Sequence, residues 1–269
     1  MPSAGRVAIG TGAGRGLGRA MTRGLVRAGI RVVVTAARER AEIEAITAEV
    51  GESMVLPVLA DVTREVDAAR VVAAALERFG RVDILVNNAG RGMKYVRETF
   101  MTEPTRFWEV EPDTWRMVID TNVNGPFLMA RAVAPHLIRT GWSHMINVSL
   151  SHSTMRRPGF SPYGPSQAAL EAETLIWAQD LRGTQVTVNA LLPGGATLTG
   201  MTPDAFSANA RGTLPDPGIM LPRLLWLVSE EMNAITGCRV TANRWENGNP
   251  LAATESAGWG SEPTAPPAT

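Results

Sequence analysis

A chain of 269 residues with 45% hydrophobic and 19% charged side chains has enough apolar mass for one full core, and its 26 basic and 26 acidic residues cancel. That balance, with a pI near 6.9, points away from a nucleic-acid or membrane-surface partner. A single cysteine, Cys238, cannot form an internal disulfide, no apolar run reaches the length of a membrane span, and no charged-then-apolar leader precedes the first strand; a cytoplasmic protein with a buried, inert thiol is expected.

Residues 6–10 (Arg-Val-Ala-Ile-Gly) read as a short buried strand that runs into Thr11-Gly-Ala-Gly-Arg-Gly-Leu-Gly18. Leu17, Ala20, Met21, Leu25 and Ala28 then recur at helical spacing as far as Gly29. A backbone without Cβ can make a tight turn and lie against a pyrophosphate, whose charge a helix N-terminus favours. Gly12, Gly16 and Gly18, with Arg15 and Leu17 between them, are therefore candidate nucleotide contacts, although the spacing differs from the usual G-x-G-x-x-G.

Residues 31–35 form a second strand, whose unbroken apolar centre suits a sheet covered on both faces. Where an acidic residue would hold an adenosine ribose 2′-hydroxyl, the chain has Ala36-Ala37-Arg38. Ala36 cannot accept that bond, whereas Arg38 together with Arg15 can meet a 2′-phosphate through charge-assisted hydrogen bonds, so NADP(H) is favoured over NAD(H). Residues 39–50 read as a helix, 54–60 as a strand, and 63–79 as a helix with Thr63 as its N-cap. Asp61, followed by Val62, can accept from an adenine amino group or help to cap that helix. Residues 82–86 form the fourth strand and lead into Asn87-Asn88-Ala89-Gly90. Strands alternating with helices imply a parallel sheet with right-handed crossovers.

The T-G-x-x-x-G-x-G of Thr11 to Gly18, then Asn87-Asn88-Ala89-Gly90, then Tyr163, in this order and spacing, resemble the short-chain dehydrogenase/reductase family across residues 5–245. The resemblance implies an α/β, single-domain Rossmann-type fold over residues 1–245: a doubly wound parallel sheet of about seven strands with helices on both faces. Residues 246–269, rich in Gly, Pro, Ala, Ser and Thr, are expected to form a poorly ordered tail. Asn88, Ala89 and Gly90, and the turn Pro193-Gly194 with Thr197 or Thr199, would lie along the dinucleotide. Residues 91–110, with Met93, Tyr95, Phe100, Met101, Phe107 and Trp108, would wall the substrate cleft or cover an oligomer contact. Residues 198–217, including Met201 and Phe206, would form a lid, and members of the family are often dimers or tetramers.

Pro112 opens a long helix that carries Asn122-Val-Asn-Gly-Pro126. Pro126 has no N–H, so the Asn122 carbonyl loses its intrahelical partner and can hold a water; in the family the matching asparagine links a water chain to the catalytic centre. The family also places a substrate-orienting serine 12 to 13 residues before the tyrosine. Ser151 lies 12 before Tyr163, and Ser149 is the substitute.

Tyr163 and Gln167 lie one turn apart on one helix face. In the reaction that the resemblance implies, a hydride passes between nicotinamide and a carbonyl carbon while a tyrosine exchanges a proton with the oxygen. The family uses a lysine four residues on, which favours the phenolate by its charge and grips the nicotinamide ribose. This chain has Gln167 there, which can bind a ribose but cannot supply the charge. The only lysine, Lys94, is considered as a replacement. The first reading is an NADP(H)-dependent oxidoreductase with a non-standard tetrad, Asn122, Ser151, Tyr163 and Gln167, acting on a small apolar carbonyl or alcohol. The alternatives are a non-redox isomerisation, dehydration or cyclisation using Tyr163 or His152, and a catalytically impaired NADP-binding protein. No metal site is assigned.

Overall fold

The computed structural model describes residues 5–203, 208–229, 232, 235–244 and 249–258. In chain order the main elements are β1 Val7–Gly10, α1 Gly16–Arg27, β2 Arg31–Ala36, α2 Arg40–Val50, β3 Val55–Leu59, α3 Glu65–Phe79 and β4 Ile84–Asn87. They continue with α4 Pro112–Ile119, α5 Gly125–Thr140, β5 Ser143–Val148, α6 His152–Met155, α7 Tyr163–Asp180, β6 Val186–Leu192, α8 Ala208–Gly212, α9 Leu221–Leu227, β7 Cys238–Thr241 and β8 Thr254–Ser256. The strands form one sheet in the order β3-β2-β1-β4-β5-β6-β7-β8, parallel except for the antiparallel β7–β8 pair.

The continuous apolar strands follow from burial on both faces. In β2, Val32 and Val34 pack into the core under α1, α2 and α9, while Val33 packs into the opposite core with α3 and α5; all three are fully buried. Each such side chain stabilises the fold by about 1.5–3 kcal/mol relative to exposure. Glycines in the left-handed region stop the helices: Gly80 (φ 78°) ends α3 and Gly141 (φ 69°) ends α5.

Four expectations change. The sheet has eight strands rather than about seven, and the eighth comes from the tail that was expected to be loose: Thr254–Ser256 pairs with β7 in the register Arg239↔Glu255. The rest of that tail, from 259 onward, lies outside the described residues, as do Phe206 and Trp245. The helix beginning at Pro112 is not continuous; Asp120–Asn124 winds as a π-helical turn between α4 and α5, where Gly125 N donates to Asp120 O five residues back. Pro126, lacking an N–H, sits where that wider turn returns to α-helix. Finally, α3 is capped at Arg64 rather than Thr63 and without a side-chain hydrogen bond. Cys238 is buried on β7, and burial pushes its thiol up to about 11. Among the described residues no helix is long and apolar enough to cross a membrane.

Candidate active site

The carboxyl ends of β1 to β6 and the loops after them enclose a cleft of about 550 Å³. It opens where the sheet order reverses between β1 and β4, the crevice in which doubly wound sheets bind ligands.

At one end lies the glycine turn. Gly12 has φ +57°, and a Cβ there would lie 2.9 Å from Ala89 Cα. A Cβ on Gly18 would lie 2.2 Å from the Gly12 carbonyl oxygen, so the turn can press against the β4 loop only as glycine. Thr11 and Asn88 lock the two together: Thr11 Oγ1 accepts from the N–H groups of Asn88 and Ala89, both at 3.0 Å. Asn88 Nδ2 donates to the carbonyls of Thr11 and Gly12, both at 2.9 Å. Asn88, expected as a nucleotide contact, thus holds the turn in shape as well as lining the cleft. Gly18 and Gly194 do not line it. Gly18 packs behind the turn, and Gly194 faces Asn243, whose Oδ1 would lie 2.0 Å from a Cβ there.

The remaining nucleotide candidates, Gly12, Arg15, Gly16, Leu17, Arg38, Asp61, Val62, Ala89, Gly90, Pro193 and Thr197, all line the cleft, as does Thr199. Arg15 Nη1 lies 3.4 Å from Glu42 Oε1, and Arg38 is exposed on the same rim. Asp61 Oδ1 accepts from Thr63 N at 3.0 Å and Thr63 Oγ1 at 2.8 Å, which shapes the turn before α3 without capping the helix itself.

At the other end, Tyr163 is the first residue of α7. Gly164 makes its seat: a Cβ there would meet the Met155 carbonyl oxygen at 2.0 Å, so α6 lies directly on the start of α7. The π-helical turn carries Asn122 inward, 1% exposed. Its Oδ1 accepts from Arg91 N at 2.8 Å, and its Nδ2 donates to Arg91 O and Ser166 Oγ, both at 2.9 Å. Ser166 Oγ donates to Tyr163 O at 2.8 Å, which ties Asn122 to the tyrosine's own backbone. Tyr163 keeps part of its surface toward the cleft, yet the surrounding protein pushes its hydroxyl up to about 12 by desolvation. Gln167 is 5% exposed and lines the cleft, and its Oε1 is buried without a partner.

Both candidate serines line the cleft, in different states. Ser151 caps α6, with Oγ 2.8 Å from Thr154 Oγ1 and 3.3 Å from Thr154 N. Ser149 is buried and donates to Glu171 Oε1 at 2.8 Å. Two residues considered as alternative participants stand apart from the cleft. Lys94 does not line the cleft; its Nζ lies 3.6 Å from Glu98 Oε1. His152 also turns away from it, with Nε2 3.4 Å from Glu171 Oε2.

The segment after β4 divides. Met93, Tyr95, Phe100 and Met101 line the cleft, with Phe100 edge-on to Phe160 at 5.8 Å. Phe107 and Trp108 point outward, 68% and 69% exposed. Met201, from the expected lid, reaches over the β4 loop, its Sδ 3.3 Å from where a Gly92 Cβ would stand.

A nicotinamide dinucleotide is consistent with these residues. The cleft runs from the glycine turn to Tyr163, and two buried oxygens lining it, Thr35 Oγ1 and Gln167 Oε1, have no protein partner. A model of the family described as "short chain dehydrogenase" matches residues 6–210. The chain belongs to the short-chain dehydrogenase/reductase family. A 3-oxoacyl-[acyl-carrier-protein] reductase of Synechocystis sp. is 32% identical over 193 residues, 70% of this chain and 73% of that protein. An L-fucose dehydrogenase of Bos taurus is 32% identical over 222 residues, covering 80% of this chain and 77% of the relative. Among solved structures, a 3-ketoacyl-(acyl-carrier-protein) reductase from Brucella melitensis complexed with NADH superposes with a TM-score of 0.76 at 32% identity, covering 87% of this chain and 94% of the other. As a member of this family the protein is an oxidoreductase of carbonyl and alcohol substrates, and a nicotinamide cofactor is typical of the family.

The sequence reading missed Glu171. It lies on the same helix face as Tyr163 and Gln167, one turn further on, and is 0% exposed. The signal was available, since a carboxylate at this spacing on a helix that buries that face is unusual.

Proposed function

We propose that the protein is an NADP(H)-dependent carbonyl reductase acting on a small apolar substrate through Tyr163, Ser151, Asn122 and Gln167, with reduction favoured over alcohol oxidation. The observation that carries this reading is the cleft itself, in which Tyr163, Ser151 and Gln167 share one wall with the glycine turn at the other end. Desolvation pushes the Tyr163 hydroxyl up to about 12, which keeps it protonated near neutrality and able to act as an acid. The nicotinamide, when bound, supplies the hydride. Ser151 and Tyr163 direct hydroxyls at the substrate oxygen, and Tyr163 gives it the proton that converts alkoxide to alcohol. Gln167, standing where the family has its lysine, binds a ribose hydroxyl through its amide and adds no charge. Asn122 holds the β4 loop against the start of α7, and its carbonyl, which Pro126 cannot serve, is the candidate anchor for a water that returns a proton to Tyr163.

Arg15 and Arg38 support NADP(H), because guanidinium groups on the rim match a 2′-phosphate and the end of β2 has no acid to hold a 2′-hydroxyl. Met93, Phe100, Met101 and Met201 support an apolar substrate. The family's dimer or tetramer is proposed as well, on the faces of α4, α5 and α7.

The deciding experiment is NADPH binding and carbonyl reduction with and without Gln167→Lys. The reading expects NADPH to bind the wild type, reduction to be measurable, and the lysine to raise oxidation more than reduction. A wild-type protein that binds NADPH yet reduces no member of a carbonyl panel, with no rescue by the lysine, would sink it.

A further inference from the structure

Behind the cleft lies a buried charged cluster that the proposed chemistry does not use. Glu171, from α7, and Arg239, from β7, have side chains 1% and 4% exposed, with Arg239 Nε 3.2 Å from Glu171 Oε1. That contact is at ion-pair distance without hydrogen-bond alignment. A buried pair of this kind adds little to stability, because desolvating two charges offsets their attraction and apolar side chains of similar size do as well. Its presence calls for another reason, and its contacts supply one.

On the cleft side the pair contacts Ser149 and Leu150, in the loop after β5, and His152, the first residue of α6. Ser149 Oγ donates to Glu171 Oε1 at 2.8 Å. Arg239 Nη2 donates to the Leu150 carbonyl at 3.0 Å. His152 Nε2 lies 3.4 Å from Glu171 Oε2. Ser149 and Leu150, which precede Ser151, are thus tied down, and Ser151 itself is left on the cleft wall as the cap of α6. On the outer side, Arg239 Nη1 lies 3.6 Å from Glu255 Oε2 of β8, and Glu255 Oε1 lies 2.6 Å from Arg244.

We infer that Glu171 and Arg239 are positioning residues: together they clamp the loop 149–152 so that Ser151, with Ser149 engaged elsewhere, presents the substrate-orienting hydroxyl opposite Tyr163. This rests on the reductase reading for its kinetic consequence, while the clamp itself can be tested without turnover. Glu171 belongs to α7 on the same face as Tyr163 and Gln167, so one rigid helix sets both the proton donor and the serine loop.

Either single neutralisation leaves a buried charge without its partner and is expected to fold poorly. The decisive variant is therefore the double Glu171→Leu/Arg239→Met, which removes both charges at similar volume. It should keep wild-type circular dichroism and NADPH affinity while the amides of residues 149–155 exchange hydrogen faster. Carbonyl reduction should lose on the order of 100-fold in kcat, with a smaller change in KM, as expected when a reacting group is misplaced by about 1 Å. Wild-type exchange in that loop, or wild-type kcat in the folded double variant, overturns the inference. Should the double variant not fold, Arg239→Lys keeps the charge and loses the planar fork that reaches Leu150; reduced kcat with an intact fold supports the clamp, and unchanged kcat overturns it. If the wild type reduces no carbonyl, the reductase reading fails by itself, and the loop-exchange measurement still decides the clamp.

Discussion

Tyr163 and Gln167 form the pair on which the chemistry turns. A hydroxyl pushed up to about 12 is almost entirely protonated at neutral pH, and its phenolate population rises about tenfold for each unit of pH below that value. Alcohol oxidation, which needs the phenolate as base, should therefore climb with a slope near one in a plot of log kcat against pH from about 7 to 10, while reduction stays flat or falls. Steady-state rates in both directions across that range check this, and a flat oxidation profile would count against Tyr163 as the base. Motif order in the sequence pointed to Asn122, Ser151, Tyr163 and Gln167, and the fold brings all four to the wall of one cleft. Their environments were not legible in the sequence. That Ser149 donates a hydrogen bond to Glu171 and that His152 faces Glu171 rather than the cleft depend on contacts between residues about 20 positions apart in the chain.

At the scale of elements, α7 carries much of the design. Asn147 on β5 donates to Thr174 at 2.9 Å and accepts from Asn87 on β4 at 2.9 Å, which fixes the helix over the strand ends. The same helix holds Glu173, whose Oε2 is buried without a partner and whose carboxyl is pushed up to about 7 by desolvation. A folded-state value raised above the unfolded 4.5 means that this group's contribution is fully present below pH 4.5 and is lost as pH rises through about 7. Glu173→Gln should consequently stabilise the protein by about 1–2 kcal/mol at about pH 8, after discounting for its partial exposure, and have little effect at about pH 4. Denaturant melts of both proteins at the two values measure the difference; an equal effect at both would mean that ionisation is not the cause. Element boundaries were only partly legible. Pro126 pointed to a disturbed helix, but whether it kinks or widens into a π-helical turn is set by how Asn122 is held between Arg91 and Ser166.

For the whole molecule, the exposed apolar residues are unevenly placed. Trp115 on α4, Phe127 on α5 and Ile176 on α7 are 39%, 46% and 53% exposed, and α4 contacts α7 directly. Apolar groups gathered on the outer face of one layer are what a subunit contact would cover. Light scattering of the purified protein should give a dimer or tetramer, and Phe127→Glu combined with Ile176→Glu should shift it to monomer with cofactor binding retained. A wild-type monomer at micromolar concentration would remove this expectation. The outward aromatic pair Phe107–Trp108, packed edge to face at 5.0 Å, lies apart on the loop after β4.

The sequence by itself determined the architecture and pointed to the residues that gather at the cleft. Period, glycine placement and motif order are local, and a parallel sheet with right-handed crossovers leaves few ways to arrange them. It also determined that no lysine stands one turn after Tyr163. Only the tertiary structure decided that Ser149 is taken by Glu171 while Ser151 caps α6, that the tail returns as β8, and that Glu171 and Arg239 meet behind the loop after β5. The physical reason is that ionisation, hydrogen-bond partnership and edge pairing depend on what lies beside a group in space. Glu171 and Arg239, 68 residues apart in the chain, lie 3.2 Å apart in the fold.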